Sequence, residues 1–245
     1  MIDDPGTELA VILPVYNEGE AVESVLRALS AGVHTTHELV VVYDFDEDTT
    51  VPVLARLSKD IPCLRGLRND MGRGVLNAMK AGIASTTAPY VLISMADGSD
   101  EPYVVDPMVE LARHGADVVA ASRYMRGGRQ IGGPPLKRLM SRTAGLTLHW
   151  FAGVPTHDPT NNFKLYSRRY LDTVTIESTA GFELALELTV KATLAGRHIA
   201  EVPTTWRDRT AGQSNFKLRT WLPHYLHWYR AAFVGRLRRG RRSPA

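Results

Sequence analysis

The feature that most constrains this 245-residue chain is an alternation. Short apolar runs are separated by stretches whose apolar residues recur at helical spacing. Leu9 to Val15 reads as a buried strand, and Gly19 to Leu29 follows with Val22, Val25, Leu26 and Leu29 on one helical face. Leu39 to Tyr43 predicts a second strand. A short helix over Val51 to Leu57 tolerates Pro52 in its first turn, where an N–H would have no intrahelical partner. Cys63 to Leu67 reads as a brief strand, Val75 to Ile83 as a helix, and Tyr90 to Met95 as a strand. Val104 to His114 is helical again, and Val118 to Ser122 closes the series as a strand. Strands alternating with helices of about 10–15 residues predict an α/β chain, its mostly parallel central sheet covered by helices on both faces. Such sheets bind ligands beyond the carboxyl ends of their strands. The polar clusters fall at those ends: Tyr16, Asn17 and Glu18, then Asp44, Asp46 and Asp48, then Asp97, Ser99 and Asp100.

The second half changes character. Gly127 to Pro135 is a Gly/Pro-rich loop, long enough to be a mobile segment beside a site. Leu136 to Phe151 reads as an amphipathic helix with Lys137, Arg138 and Arg142 near its start. Phe163 to Tyr166 is a strand, Phe182 to Leu194 a helix and Ile199 to Trp206 an extended run. Composition narrows the class: 44% hydrophobic and 22% charged residues exclude disorder and membrane embedding. No uncharged apolar run approaches the ~20 residues of a spanning helix. Cys63 has no second cysteine with which to form a bridge or a thiolate metal site, which favours a reducing cytoplasm. Acidic Asp3 and Asp4 stand where a secretory leader would be basic and then apolar, so no leader is expected. The net charge is +3, with Arg230, Arg236, Arg238, Arg239, Arg241 and Arg242 near the end. They accompany Trp221, Leu222, Tyr225, Leu226, Trp228 and Tyr229. Segment 219–245 is therefore expected to form an amphipathic, Arg-rich helix against a membrane, the catalytic domain or a partner subunit. No nucleic-acid recognition module accompanies the basic residues, and no nucleic-acid partner is expected.

LPVYNE (Leu13 to Glu18), the acidic loop after the second strand and ADGSDEP (Ala96 to Pro102) resemble the family 2 glycosyltransferases of the GT-A (Rossmann-like) fold. SRYMRGG (Ser122 to Gly128), DPTNNFKLY (Asp158 to Tyr166), FELALEL (Phe182 to Leu188) and EVPTTWRDRTAGQSNFKL (Glu201 to Leu218) are similar to its dolichol-phosphate mannose synthase branch. The resemblance implies a catalytic domain over residues 1–218. It also implies inverting transfer of a sugar from a nucleoside-diphosphate sugar (GDP-mannose or a UDP-sugar) to a polyprenyl or dolichyl phosphate. Magnesium or manganese would assist, and the protein would sit peripherally at the cytoplasmic face of a membrane. The sequence departs from the family pattern at Tyr43 and Met95, where aspartates are usual. A hydroxyl acceptor and a noncatalytic nucleotide-sugar-binding subunit are the competing readings.

A leaving nucleoside diphosphate gains charge, which a divalent cation held by oxygen ligands stabilises. Asp97 is the first expected ligand, with Ser99 and Asp100 beside it; the plain alternative is that Asp97-Gly98 only makes a turn. The resemblance assigns Pro14, Tyr16, Glu18 and Asp44 to the nucleoside, with Arg73 approaching the donor. Asn17 and Asp48 equally suit helix capping. A lipid phosphate is already anionic and needs cations rather than a base, and arginine forks match its oxygens. Arg123, Arg138, Arg142, Arg209 and Lys217 are the candidates, although a lone arginine more often makes a surface ion pair. Asp158, Glu187 and Asp208 are expected to orient the arginines, and one would become the general base for a hydroxyl acceptor. The expected catalytic set is thus Arg123, Arg209, Asp158, Glu187 and Asp208.

Overall fold

The computed structural model describes residues 6–208 and 218–240. Its strands are β1 (Leu9–Pro14), β2 (His37–Tyr43), β3 (Leu64–Arg68), β4 (Tyr90–Ile93), β5 (Val118–Ser122), β6 (Arg129–Ile131), β7 (Lys164–Ser167), β8 (Ile199–Pro203) and β9 (Thr205–Arg207). The helices are α1 (Ala21–Gly32), α2 (Val51–Leu57), α3 (Val75–Ala84), α4 (Val105–Arg113), α5 (Pro135–Thr147), α6 (Arg168–Leu171), α7 (Leu184–Leu194) and α8 (Leu218–Gly240). Seven strands form one sheet in the order β3-β2-β1-β4-β7-β5-β8. All its pairings are parallel except those of β7, which runs antiparallel to both β4 and β5. The turn before β7 therefore reaches the same rim as the carboxyl ends of its neighbours.

Side-chain alternation along each strand feeds two cores. Leu9, Val11 and Leu13 point into one, which α1, α2 and α4 cover with Leu26, Leu57 and Met108. Ala10 and Ile12 point into the other, which α3, α6 and α7 cover with Met79, Tyr170 and Leu188. Each such Leu, Ile or Met contributes about 1.5–3 kcal/mol by leaving water. Gly82 lets α3 approach β1 closely, since a Cβ there would lie 2.3 Å from Ile12 Cγ2.

A third cluster involves α8. Trp228 and Ala232 pack on Leu186 and Val190 of α7 and on Leu148 and Ala152 of the π-helical turn Leu148–Ala152 that prolongs α5. Tyr225 Oη donates to Phe182 O at 2.7 Å, and Tyr229 Oη donates to Thr147 Oγ1 at 3.0 Å. Pro223 lies inside α8. The Gly127–Pro135 loop also holds more order than its composition suggests. It contains β6, which pairs in parallel with β9, while the run Ile199 to Trp206 divides into β8 and β9.

Asp106, in the first turn of α4, fastens the α1–β2 connection. Its carboxylate accepts from His34 N (3.0 Å), Thr35 N (2.9 Å) and Thr35 Oγ1 (2.8 Å). Burial opposes ionisation, but these donors outweigh it and hold the pKa down to about 2. The lowered pKa makes the contribution complete above about pH 4 and lost as pH falls toward 2, where the folded carboxyl also protonates. Asp106→Asn should cost about 2 kcal/mol at neutral pH. Urea unfolding of both proteins should show that gap narrowing between about pH 4 and 2; a constant gap would reject the assignment.

Candidate active site

The carboxyl ends of β1, β2, β4 and β5 open into a cleft of about 1050 Å³, at the large end for a small-molecule site. Pro14 at the end of β1, Tyr16 and Glu18 after it, Asp44 after β2, Arg73 and Gly74 before α3, and Asp97 and Asp100 after β4 line one side. Arg123 and Tyr124 after β5, the turn Thr160 to Asn162, Lys137 and Ser141 of α5, Trp206 and Asp208 line the other. Leu222 and Tyr225 of α8 complete the wall.

The side of the cleft built from the β1 and β2 loops and the start of α3 is held by hydrogen bonds between loops. Buried Asp48 accepts from Asn17 N (2.9 Å) and Thr50 N (2.8 Å), which locks the β1 and β2 loops together. Asn17 takes a left-handed conformation there, with φ of 54°. Asp44 accepts from Asn69 Nδ2 (2.7 Å) and Gly74 N (2.8 Å), which fixes the start of α3 against the cleft. Phe45, which the sequence reading passed over, supports two lining residues. Tyr16 packs edge-on to it at 5.8 Å, and the Arg73 guanidinium lies 5.0 Å from its ring centre. Tyr16 itself is 57% exposed, an open face on which a planar base could stack.

Asp97 Oδ1 accepts from Ser99 N at 3.0 Å. Ser99 Oγ and Asp100 Oδ1 are buried without a hydrogen-bond partner among the described residues. Burial is the main force raising the Asp100 carboxyl to about 8; the Asp97 charge adds to it and Arg123 opposes it. Arg207, at the end of β9, fastens this loop by donating from N to Ser99 O (3.0 Å) and from Nε to Glu101 Oε1 (3.1 Å). Among the described residues no group of three or more His, Cys, Asp or Glu could hold a metal ion. Magnesium and manganese at nucleotide sites take one or two carboxylates plus substrate phosphates. Asp97 and Asp100, with the orphaned Ser99 hydroxyl, fit that donor set.

Across the cleft, Arg123 meets Asp158 through Nε to Oδ2 (2.7 Å), Nη2 to Oδ1 (2.9 Å) and its own backbone N to Oδ2 (3.0 Å). Arg123 Nη2 also donates to Ser141 Oγ (3.2 Å), itself 2.8 Å from Thr160 Oγ1. Burial disfavours the Asp158 charge, but Arg123 outweighs it and keeps the carboxyl below its ordinary range. Lys164, wholly buried on β7, donates from Nζ to Asp158 O at 3.0 Å and also to Asn161 O. Burial lowers its pKa to about 7, against the pull of Asp158. Glu201 secures the preceding segment by accepting from Thr156 Oγ1 (2.9 Å) and His157 N (2.8 Å).

The remaining candidates divide. Asp208 lines the cleft. Arg138 and Arg142 are exposed on α5 and do not line it. Glu187 is buried away from the cleft, accepting from Glu177 N (2.6 Å), Ser178 N (2.8 Å) and Lys191 Nζ (2.7 Å). It thereby braces the loop that brings Ala180 and Phe182 to the cleft wall. Arg209 and Lys217 lie outside the described residues. Tyr124 and Trp206, also missed, stand in the motifs SRYMRGG and EVPTTWRDRT, where an aromatic beside an arginine was the available signal.

Residues 10–175 match the family described as Glycosyl transferase family 2. The chain belongs to that family. Among curated relatives of this family 2 chain, the dolichol-phosphate mannosyltransferase of Pyrococcus furiosus is 26% identical over 228 residues, covering 91% of this chain and 63% of that protein. The chain thus spans less than two thirds of that relative's length. The polyprenol monophosphomannose synthase of Mycolicibacterium smegmatis is 28% identical over 225 residues, covering 86% of this chain and 84% of its own. The branch suggested by the later motifs is the one these names carry. A solved structure of glucosyl-3-phosphoglycerate synthase from Mycobacterium tuberculosis, in complex with Mn2+, UDP and glucosyl-3-phosphoglycerate, superposes with a TM-score of 0.66 at 18% identity. The match covers 94% of this chain and 80% of the other. That likeness is one of fold, and the family 2 chain has the GT-A architecture its motifs imply.

Proposed function

We propose that this chain transfers a glycosyl group from a nucleoside-diphosphate sugar to a polyprenyl phosphate, with inversion at the anomeric carbon. The observation that carries the reading is the opposition of groups across one cleft: the carboxyls of Asp97 and Asp100 on one wall, the Asp158-held Arg123 on the other. The first suits a cation-bound diphosphate, the second a phosphate monoester that needs no deprotonation. The relatives' names support the same acceptor class. Catalytic domain 1–218 would carry the reaction, with segment 219–245 contributing a wall of the cleft.

Tyr16 and Pro14 would stack the base, and Glu18 and Asp44 would accept from the nucleoside. Asp97 and Asp100, with Ser99, would hold a magnesium or manganese ion, which supplies charge neutralisation for the departing diphosphate. Arg123 would aim the acceptor phosphate so that its oxygen attacks the anomeric carbon. The C–O bond to the diphosphate breaks on the opposite face, and the nucleoside diphosphate departs with the electron pair. Arg209 and Lys217, close in sequence to Asp208, remain candidates for the same phosphate.

Asp208 favours a second reading, because a carboxylate lining the cleft could take a proton from a hydroxyl acceptor. Transfer of labelled sugar from a panel of nucleotide sugars to polyprenyl phosphate, with manganese and with chelator, separates the two. A metal-dependent labelled lipid is the expected product. Label on a glycan or small alcohol but never on lipid would establish the second reading, and no transfer would return the chain to a binding role.

Peripheral contact with a membrane at its cytoplasmic face belongs to the same proposal. No described helix is long and apolar enough to cross a membrane. Leu136 and Leu139 of α5, with Trp150 and Phe151 beyond it, are each at least 60% exposed, and exposed Arg138 and Arg142 share that helix. On α8, Leu226 and Leu237 are also exposed. Aromatic and basic residues together suit an anionic interface. The double substitution Leu139→Glu and Phe151→Glu should weaken pelleting with anionic vesicles by about tenfold or more. Undiminished pelleting would reject this surface.

A further inference from the structure

Lys164 has no role in the scheme above, yet its position is costly. Its register partners are Ile93 and Ala120 within the apolar sheet. A methionine of similar volume would fill the space without desolvating an ammonium. What methionine could not do is donate to two carbonyls of the same turn, Asp158 O and Asn161 O. That turn carries the carboxylate that grips Arg123 at both Nε and Nη2, and it presents Thr160 and Asn161 to the cleft.

We infer that Lys164 is a positioning residue for the acceptor side of the cleft, holding the Asp158 turn from inside the fold so that Arg123 keeps one orientation. The acceptor part of this inference rests on the function proposed above; the geometric part does not. Without the ammonium, two buried carbonyls lose their donor, and the turn has to shift to find others. Asp158 and Arg123 move with it. On the proposed donor side, Asp48 accepts from Asn17 and Thr50 and Asp44 from Asn69 and Gly74, none of them in this turn, so these fastenings should be unaffected.

The test compares the full chain with Lys164→Met and Lys164→Arg. Arg123 is followed by its Nε–H resonance in ¹⁵N-labelled protein, without substrate. Lys164→Met should move that resonance, and Lys164→Arg, which keeps a cation and donors, should largely restore it. An unmoved resonance overturns the inference whatever the acceptor is. Calorimetric titration with farnesyl phosphate, at saturating nucleoside diphosphate and manganese, should then show at least about a tenfold loss for Lys164→Met. Nucleoside diphosphate affinity should stay within about twofold. Equal losses for both ligands would mean general loosening and also overturn it. A moved resonance with no farnesyl phosphate binding even by the wild type would sink the acceptor reading while supporting the positioning role. If Lys164→Met does not fold, Lys164→Gln carries the same comparison.

Discussion

Arg123→Ala is expected to lower sugar transfer by about a hundredfold or more while leaving nucleoside diphosphate affinity within about threefold. The asymmetry follows from the wiring. Arg123 sits with the turn proposed to face the acceptor through Asp158, Ser141 and Thr160, whereas the proposed nucleoside side is fixed by Asp44, Asp48 and Asn69. The substitution also strands a buried carboxylate, a change that typically costs about 3–5 kcal/mol of stability. Arg123→Lys keeps a cation near Asp158 but loses the two-pronged contact, so it should fold better and still transfer poorly. Steady-state transfer, nucleotide titration and thermal unfolding of both variants distinguish a binding defect from a folding defect. Comparable losses of transfer and of nucleotide affinity would sink the assignment of Arg123 to the acceptor.

Asp97→Asn should lower transfer by about two to three orders of magnitude and remove the stimulation by manganese. The amide oxygen can still accept from Ser99 N, so the loop keeps that turn while the charge and one oxygen ligand are lost. Asp100→Asn should act in the same direction, since that carboxylate has a buried oxygen with no partner among the described residues. In the wild type, manganese should tighten nucleoside diphosphate binding; in Asp97→Asn it should not. If Asp97→Asn retains full manganese stimulation, Asp97-Gly98 is a turn and nothing more.

Much of the fold was legible because a parallel sheet buried on both faces writes itself as short apolar runs. The runs from Leu9, Leu39 and Tyr90 became β1, β2 and β4, and of the polar residues that follow them Tyr16, Glu18, Asp44, Asp97 and Asp100 line one cleft. Strand order was less accessible. Nothing local in the run from Phe163 says that β7 turns antiparallel between β4 and β5, because that choice is made by partners far along the chain. Lys164 was hidden for a related reason: lysine in a strand normally reads as solvent-facing, and only the fold reveals the carbonyls that capture it. The α5 cations were separable in principle. Lys137, Ser141 and Ala144 recur at helical spacing and line the cleft, which leaves Arg138 and Arg142 on other faces. The pattern of segment 219–245 suits a membrane, the catalytic domain or a partner subunit alike, and does not say which. Trp228 and Tyr225 find partners on α7 and its preceding loop, the catalytic-domain option, through contacts that no periodicity announces.

The docking of α8 has a consequence for how the protein comes into being. One wall of the cleft is built from Pro14 and Tyr16, the other from Leu222 and Tyr225. Residues so distant in the chain close their contacts late in folding, after the local helices and the sheet are in place. On the ribosome the first wall emerges while the second has not yet been synthesised. A nascent chain can therefore assemble its sheet early but has no complete cleft until Leu222 and Tyr225 have left the ribosome and α8 has docked.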